Sequence, residues 1–91
     1  AALVAEDPSW TVRRSALRRL ASLQPEPEIV ERSVSSGLAD PAAFVRSAAL
    51  ELAEVRLDRG TLCARVATVL SDADPVVAAR ARALTAEHCV R

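Results

Sequence analysis

The chain has 91 residues, 51% of them hydrophobic, with twelve basic side chains balancing twelve acidic ones. That length allows one small domain and leaves no room for a second. Zero net charge supplies no global field to draw the protein onto nucleic acid or an anionic membrane, and its apolar runs fall well short of the roughly 20 residues a membrane-spanning helix needs.

Every basic residue is Arg, and Ala, Val and Leu dominate, with one Trp, one Phe, no Tyr and two Gly. This composition favours helices over strands, and Arg without Lys is compatible with a GC-rich bacterial genome. Charge is unevenly spread. Residues 1–25 hold four Arg against two acids, residues 26–58 three against seven, and residues 59–91 five against three.

In chain order, Ala1-Ala2-Leu3-Val4-Ala5 reads as the tail of a helix whose beginning is absent. Asp7-Pro8 then opens a helix predicted over 8–22. Asp is a good N-cap and suits the positive end of the helix dipole, and Pro tolerates the first helical position because its missing N–H would be unpaired there anyway. Val12, Ala16, Leu20 and Leu23 supply an apolar stripe at helical spacing. Gln24-Pro25-Glu26-Pro27 breaks the chain, and Ile29, Val30, Val34 and Leu38 recur at helical intervals over 27–38.

Asp40-Pro41 opens a third helix over 41–56 with Val45, Ala49, Leu52 and Val55 on one side. Asp58-Arg59-Gly60-Thr61 makes the next turn. Leu62, Cys63, Val66, Val69 and Leu70 follow over 61–71, and Asp74-Pro75 opens the last helix over 75–89.

The three Asp-Pro pairs lie 33 and 34 residues apart, and each precedes a similar pattern: Val12-Arg13 with Ala16-Leu17, Val45-Arg46 with Ala49-Leu50, and Ala79-Arg80 with Ala83-Leu84. Repetition at this period predicts antiparallel helix pairs stacked as a solenoid, each unit burying its apolar face against the next.

The pattern Asp-Pro-x-x-x-Val-Arg-x-x-Ala-Leu resembles the HEAT repeats of bacterial proteins, including those of phycobilin lyases, over essentially the whole chain. The resemblance implies an all-α, right-handed superhelix of about five helices in two and a half to three repeats (7–39, 40–73 and an incomplete 74–91), forming one domain and a segment of a longer array. It also implies a ladder of polar contacts between repeats through Asp7, Arg13, Asp40, Arg46, Asp74 and Arg80. First helices would be convex and second helices concave. The third copy departs from the pattern at Ala79 and Glu87.

Chemistry is sparsely represented. Asp and Arg recurring in three equivalent places point to structure, because a reaction centre is one asymmetric constellation. Cys63 and Cys89, 26 positions apart, form neither a CxxC pair nor a disulfide framework and read as reduced cytoplasmic thiols. With His88 they make too few ligands for zinc, and adjacent helical residues point about 100° apart. No cofactor is implied.

The binding surface expected from the family geometry lies on the second helices: Glu31, Arg32, Ser35, Ser36, Ala64, Arg65 and Thr68. Its mixed polarity suits a peptide or a protein surface better than a phosphate backbone, which needs a row of cations. Secondary candidates are Trp10, whose repeat equivalents are Ala43 and Val77, and the Arg14/Arg18 pair, which shares one helix face.

The expected function is a non-catalytic protein-interaction or scaffold module in the cytoplasm. Its partner would be a protein or peptide, neighbouring repeats, or a second copy through uncapped ends, with no membrane partner. The alternatives are nucleic-acid binding through the Arg-rich first helix and, by resemblance alone, a bilin-lyase-like enzyme subunit.

Overall fold

The computed structural model describes residues 9–89 and is all-helical among them. Its helices are α1 (Trp10–Ser22), α2 (Pro27–Leu38), α3 (Ala43–Arg56), α4 (Arg59–Val66, continued by one 3₁₀ turn at Ala67–Val69) and α5 (Pro75–His88). Asp7-Pro8 and residues 1–5, read above as a helix start and a helix tail, lie outside the described residues.

α3 forms the middle of the structure. It packs against α1, α2 and α5, while α4 packs chiefly on α5. Its central position explains its composition: Val45, Ala48, Ala49, Leu50, Leu52 and Ala53 are all buried, several of them alanines that let neighbouring helices approach closely. Val30, Val34 and Leu38 of α2, Leu62, Val66 and Val69 around α4, and Val77, Ala81 and Leu84 of α5 complete the core.

The closest approach is at Gly37, where a Cβ atom would fall 2.7 Å from Cβ of Ala49 and 3.1 Å from Cδ1 of Leu17. Here glycine serves packing, because its backbone is ordinary helix.

Three helix starts differ from expectation, the first being α1, which begins at Trp10 with Ser9 at the cap position. α3 begins at Ala43, with Ala42 at the cap position, and not at Pro41. The Asp40 carboxylate does not cap the helix; it accepts the Ala42 amide hydrogen (2.8 Å) while engaging Arg13. α4 begins at Arg59, two residues early, because Asp58 accepts from the Thr61 amide (3.3 Å) and hydroxyl (2.6 Å). Of the two Asp-Pro pairs among the described residues, that at α5 caps as expected: Asp74 accepts from the amides of Val76 and Val77, and Pro75 is the first helical residue.

The odd helices therefore start at Trp10, Ala43 and Pro75, 33 and 32 residues apart. In this register Asp40 corresponds to Asp72, Arg46 to Ala78, Val45 to Val77, Ala49 to Ala81 and Leu52 to Leu84. Measured from these helix starts, the second and third Asp-Pro pairs, 34 residues apart, are out of register by two positions.

The stripe on α1 is also displaced. Val12 and Leu23 are about half exposed, and the buried line is Arg13 and Leu17, with Leu20 and Ala21 partly covered. Val55 and Ile29, placed on apolar stripes by their spacing, are likewise exposed.

Candidate functional site

Arginines tie the helices together. Arg13 donates from Nε and Nη2 to the two carboxylate oxygens of Asp40 (2.6 and 3.0 Å), and both side chains are buried. One repeat on, Arg46 donates from Nη2 to Asp72 Oδ2 (3.0 Å) and from Nη1 to the Asp40 carbonyl (2.8 Å). Burial alone would raise the pKa of Asp40. The hydrogen bonds from Arg13 and the Ala42 amide, with the charges of Arg13 and Arg46, outweigh it, so the carboxyl titrates below its ordinary 3.8. Asp72 is lowered in the same way, burial being overcome by Arg46 and the Asp74 amide.

Of the six residues expected in the polar ladder, Arg13, Asp40 and Arg46 take part in these contacts, and Asp7 lies outside the described residues. Asp72, overlooked in the sequence, supplies the carboxylate that Asp74 was expected to provide. Asp74 caps α5, and Arg80 is exposed, with no ion pair or hydrogen bond among the described residues. A signal for Asp72 existed: it stands 26 residues after Arg46, close to the 27 that separate Arg13 from Asp40.

The second-helix surface is polar and largely self-satisfied. Arg65 pairs with Glu31 across α4 and α2, and the Thr68 hydroxyl donates to the Arg65 carbonyl. Ser35, Arg65 and Thr68 line a shallow recess of about 260 Å³ with Leu38, Ala39 and Val69. Ser36 is half-buried, whereas Arg32 and Ala64 are exposed. A second recess of about 300 Å³ opens beside Glu31, between Pro27 and Glu28 on one side and Arg56, Leu57, Asp58 and Thr61 on the other. No large apolar side chain projects into solvent from among the seven residues of this expected surface.

The exposed apolar groups cluster elsewhere. Trp10 at the start of α1 stacks on Phe44 at the start of α3, ring centroids 5.0 Å apart and planes inclined by 23°. Trp10 is 39% and Phe44 59% exposed. Arg14, one turn along α1, lays its guanidinium over both rings, 5.2 Å from the Trp10 centroid and 6.0 Å from that of Phe44. Val76, in α5 at the position matching Phe44, is 68% exposed, and Ala79 and Ala83 are exposed further along α5.

The solvent side of the odd helices thus carries an aromatic and aliphatic stripe. The repeat equivalent of Trp10 is Pro75, and not Val77, which is wholly buried. Arg18 continues the Arg14 face but lies 3.9 Å from Glu51.

Cys63 and Cys89 form a disulfide, which corrects the expectation of reduced thiols. Packing of α4 on α5 brings their Cα atoms to 5.8 Å, a proximity that 26 residues of separation did not reveal. Arg59 reinforces the junction by donating from Nε to the His88 carbonyl (2.7 Å). His88 Nε2 lies 3.5 Å from Glu54 Oε2 and 3.9 Å from Glu87 Oε2, a partly exposed charge cluster at the end of α5.

No family model, no curated protein and no solved structure matches the chain. Among the described residues, no helix is long and apolar enough to cross a membrane.

Proposed function

We propose that the chain is a non-catalytic protein-interaction module, built as a right-handed stack of HEAT-like helix pairs, whose docking face is the solvent side of α1 and α3. The exposed Trp10–Phe44 stack carries this reading. Two large aromatic rings held together at the surface, beside further exposed apolar side chains, are the kind of anchor that dominates protein interfaces. The polar contacts between successive odd helices and the matching buried positions Val45/Val77, Ala49/Ala81 and Leu52/Leu84 support the repeat architecture.

The reading moves the docking face away from the second helices, where Glu31 and Arg65 neutralise each other. Nucleic-acid binding has weaker support. Within the Arg-rich run Arg13 is committed to Asp40 and Arg18 approaches Glu51, leaving no continuous row of cations for phosphates. The lyase alternative draws on no group described above. A cytoplasmic location was expected together with free thiols, and the Cys63–Cys89 disulfide fits an oxidising compartment better.

Selection of a displayed random peptide library on the intact chain tests the proposal. Peptides retained by the wild-type chain should lose affinity for Phe44→Ser and keep it for Arg32→Glu on the opposite helices. The reverse pattern would return the docking face to α2 and α4.

A further inference from the structure

We infer that Trp10, Arg14 and Phe44 form a receptor for a carboxylate and a neighbouring bulky apolar side chain on a partner peptide. This rests on the docking-face reading and specifies its chemistry.

The argument starts from how the arginines are used. Arg13, Arg18, Arg46 and Arg65 meet carboxylates, and Arg56, Arg59 and Arg82 donate to backbone carbonyls. Arg14 does neither among the described residues, and unlike Arg19, Arg32 and Arg80, which also lack such partners but are exposed, it is half-buried. Its Nε is shut off from water without a hydrogen-bond partner. A cation whose stem is desolvated and whose guanidinium rests on two rings has lost part of its hydration, and the rings restore only part of that loss. An incoming carboxylate would find a pre-oriented fork with little ordering left to do.

The rings supply the second half of the receptor. Phe44 is the more exposed, and its centroid is 6.0 Å from the Arg14 guanidinium carbon. That distance is about one helical turn (~5.4 Å) or about two residues of strand (~6.6 Å). A peptide with Asp or Glu about two to four positions from Leu, Ile, Phe or Trp can therefore place the acid on Arg14 and the apolar group on Phe44 together. A phosphate chain fits less well, because the next cation along this face, Arg18, lies beside the Glu51 carboxylate.

Trp10 is the only tryptophan of the chain, so its emission reports on this site alone. The test uses a random peptide library selected on the intact chain with counter-selection on Phe44→Ser. Synthetic copies of the survivors are then titrated against Trp10 fluorescence. Survivors should carry an acid at the stated spacing from a bulky apolar residue. Replacing that acid by its amide should weaken binding about tenfold, as expected for loss of one charge-assisted contact. Arg14→Gln should abolish the difference between acid and amide peptides while leaving the helical circular dichroism intact, since Arg14 makes no hydrogen bond among the described residues.

Survivors without acids, or acid and amide peptides that bind equally, overturn the carboxylate receptor and leave the docking face standing. The absence of any survivor sensitive to Phe44→Ser overturns both. Arg14-dependent quenching of Trp10 by a thymidine oligonucleotide, weakening steeply with salt, reassigns the site to single-stranded nucleic acid.

Discussion

Asp40 joins the polar contacts between helices, as its place in the repeat pattern led us to expect, and does not cap α3. Beside Pro41 it has the sequence of an N-cap, yet its carboxylate is held by Arg13 and the helix starts two residues later. In the third unit the two jobs are divided, Asp72 taking the arginine and Asp74 the cap. Asp40→Asn should remove a charged partner from the buried Arg13 and cost up to about 3–5 kcal/mol in urea denaturation, a large share of a small domain's stability. Asp72→Asn, at a more accessible pair, should cost less.

Because the folded pKa values of Asp40 and Asp72 lie below the unfolded value, both aspartates bind protons more weakly when folded. The stability they contribute is complete above the ordinary carboxyl pKa of 3.8 and is lost as pH falls through the lower folded values. The urea midpoint should therefore hold steady from neutral pH down to about 5 and drop below about 4, and the drop should shrink in Asp72→Asn.

At the scale of elements, the five helices were legible because Pro, Gly and Asp punctuate them and apolar residues recur at helical intervals; the faces were legible only in part. α3 is covered by three helices, so Val45, Ala49 and Leu52 of its expected stripe are buried, while Val55 near its end is exposed. α1 is covered mainly by α3, so a neighbouring line carrying Arg13 and Leu17 is buried in place of Val12 and Leu23. Spacing fixes which residues share a face but not which face meets a neighbour.

Two contacts between elements lend themselves to measurement. Gly37→Ala should drive a methyl group into Ala49, and overpacking of about 1–3 kcal/mol should exceed the gain in helix propensity of up to about 1 kcal/mol. A stabilised variant would show that α2 can move away from α3 at little cost. The Cys63–Cys89 bond closes a loop of 26 residues onto the short α4. Reduction should cost about 3 kcal/mol and lower Tm by more than about 10 °C, and Cys63→Ser should reproduce this without reductant. An unchanged melt under reducing conditions would mean that packing and Arg59 alone hold the junction.

Among the described residues, most exposed large apolar side chains lie on or beside the odd helices, although Ile29 of α2 is exposed too. α2 and α4 present the Glu31–Arg65 pair and small hydroxyl side chains, whereas α1, α3 and α5 expose Trp10, Phe44, Val55 and Val76. The stripe escaped sequence reading because Trp10 and Phe44 are the first and second residues of their helices, one position apart in the repeat. They meet only because adjacent helix starts lie side by side. The same offset hid Asp72, which lies two residues before the Asp-Pro pair on which the motif is aligned.

The central claim, that the molecule docks through the solvent side of its odd helices, is tested most directly by mapping amide chemical-shift changes in the isotopically labelled chain as a library-selected peptide is added. The account predicts perturbations concentrated at Trp10–Arg18 and Ala43–Glu51, with residues 31–36 and 64–68 unmoved. Perturbations confined to those two segments of α2 and of α4 with its 3₁₀ turn would contradict it.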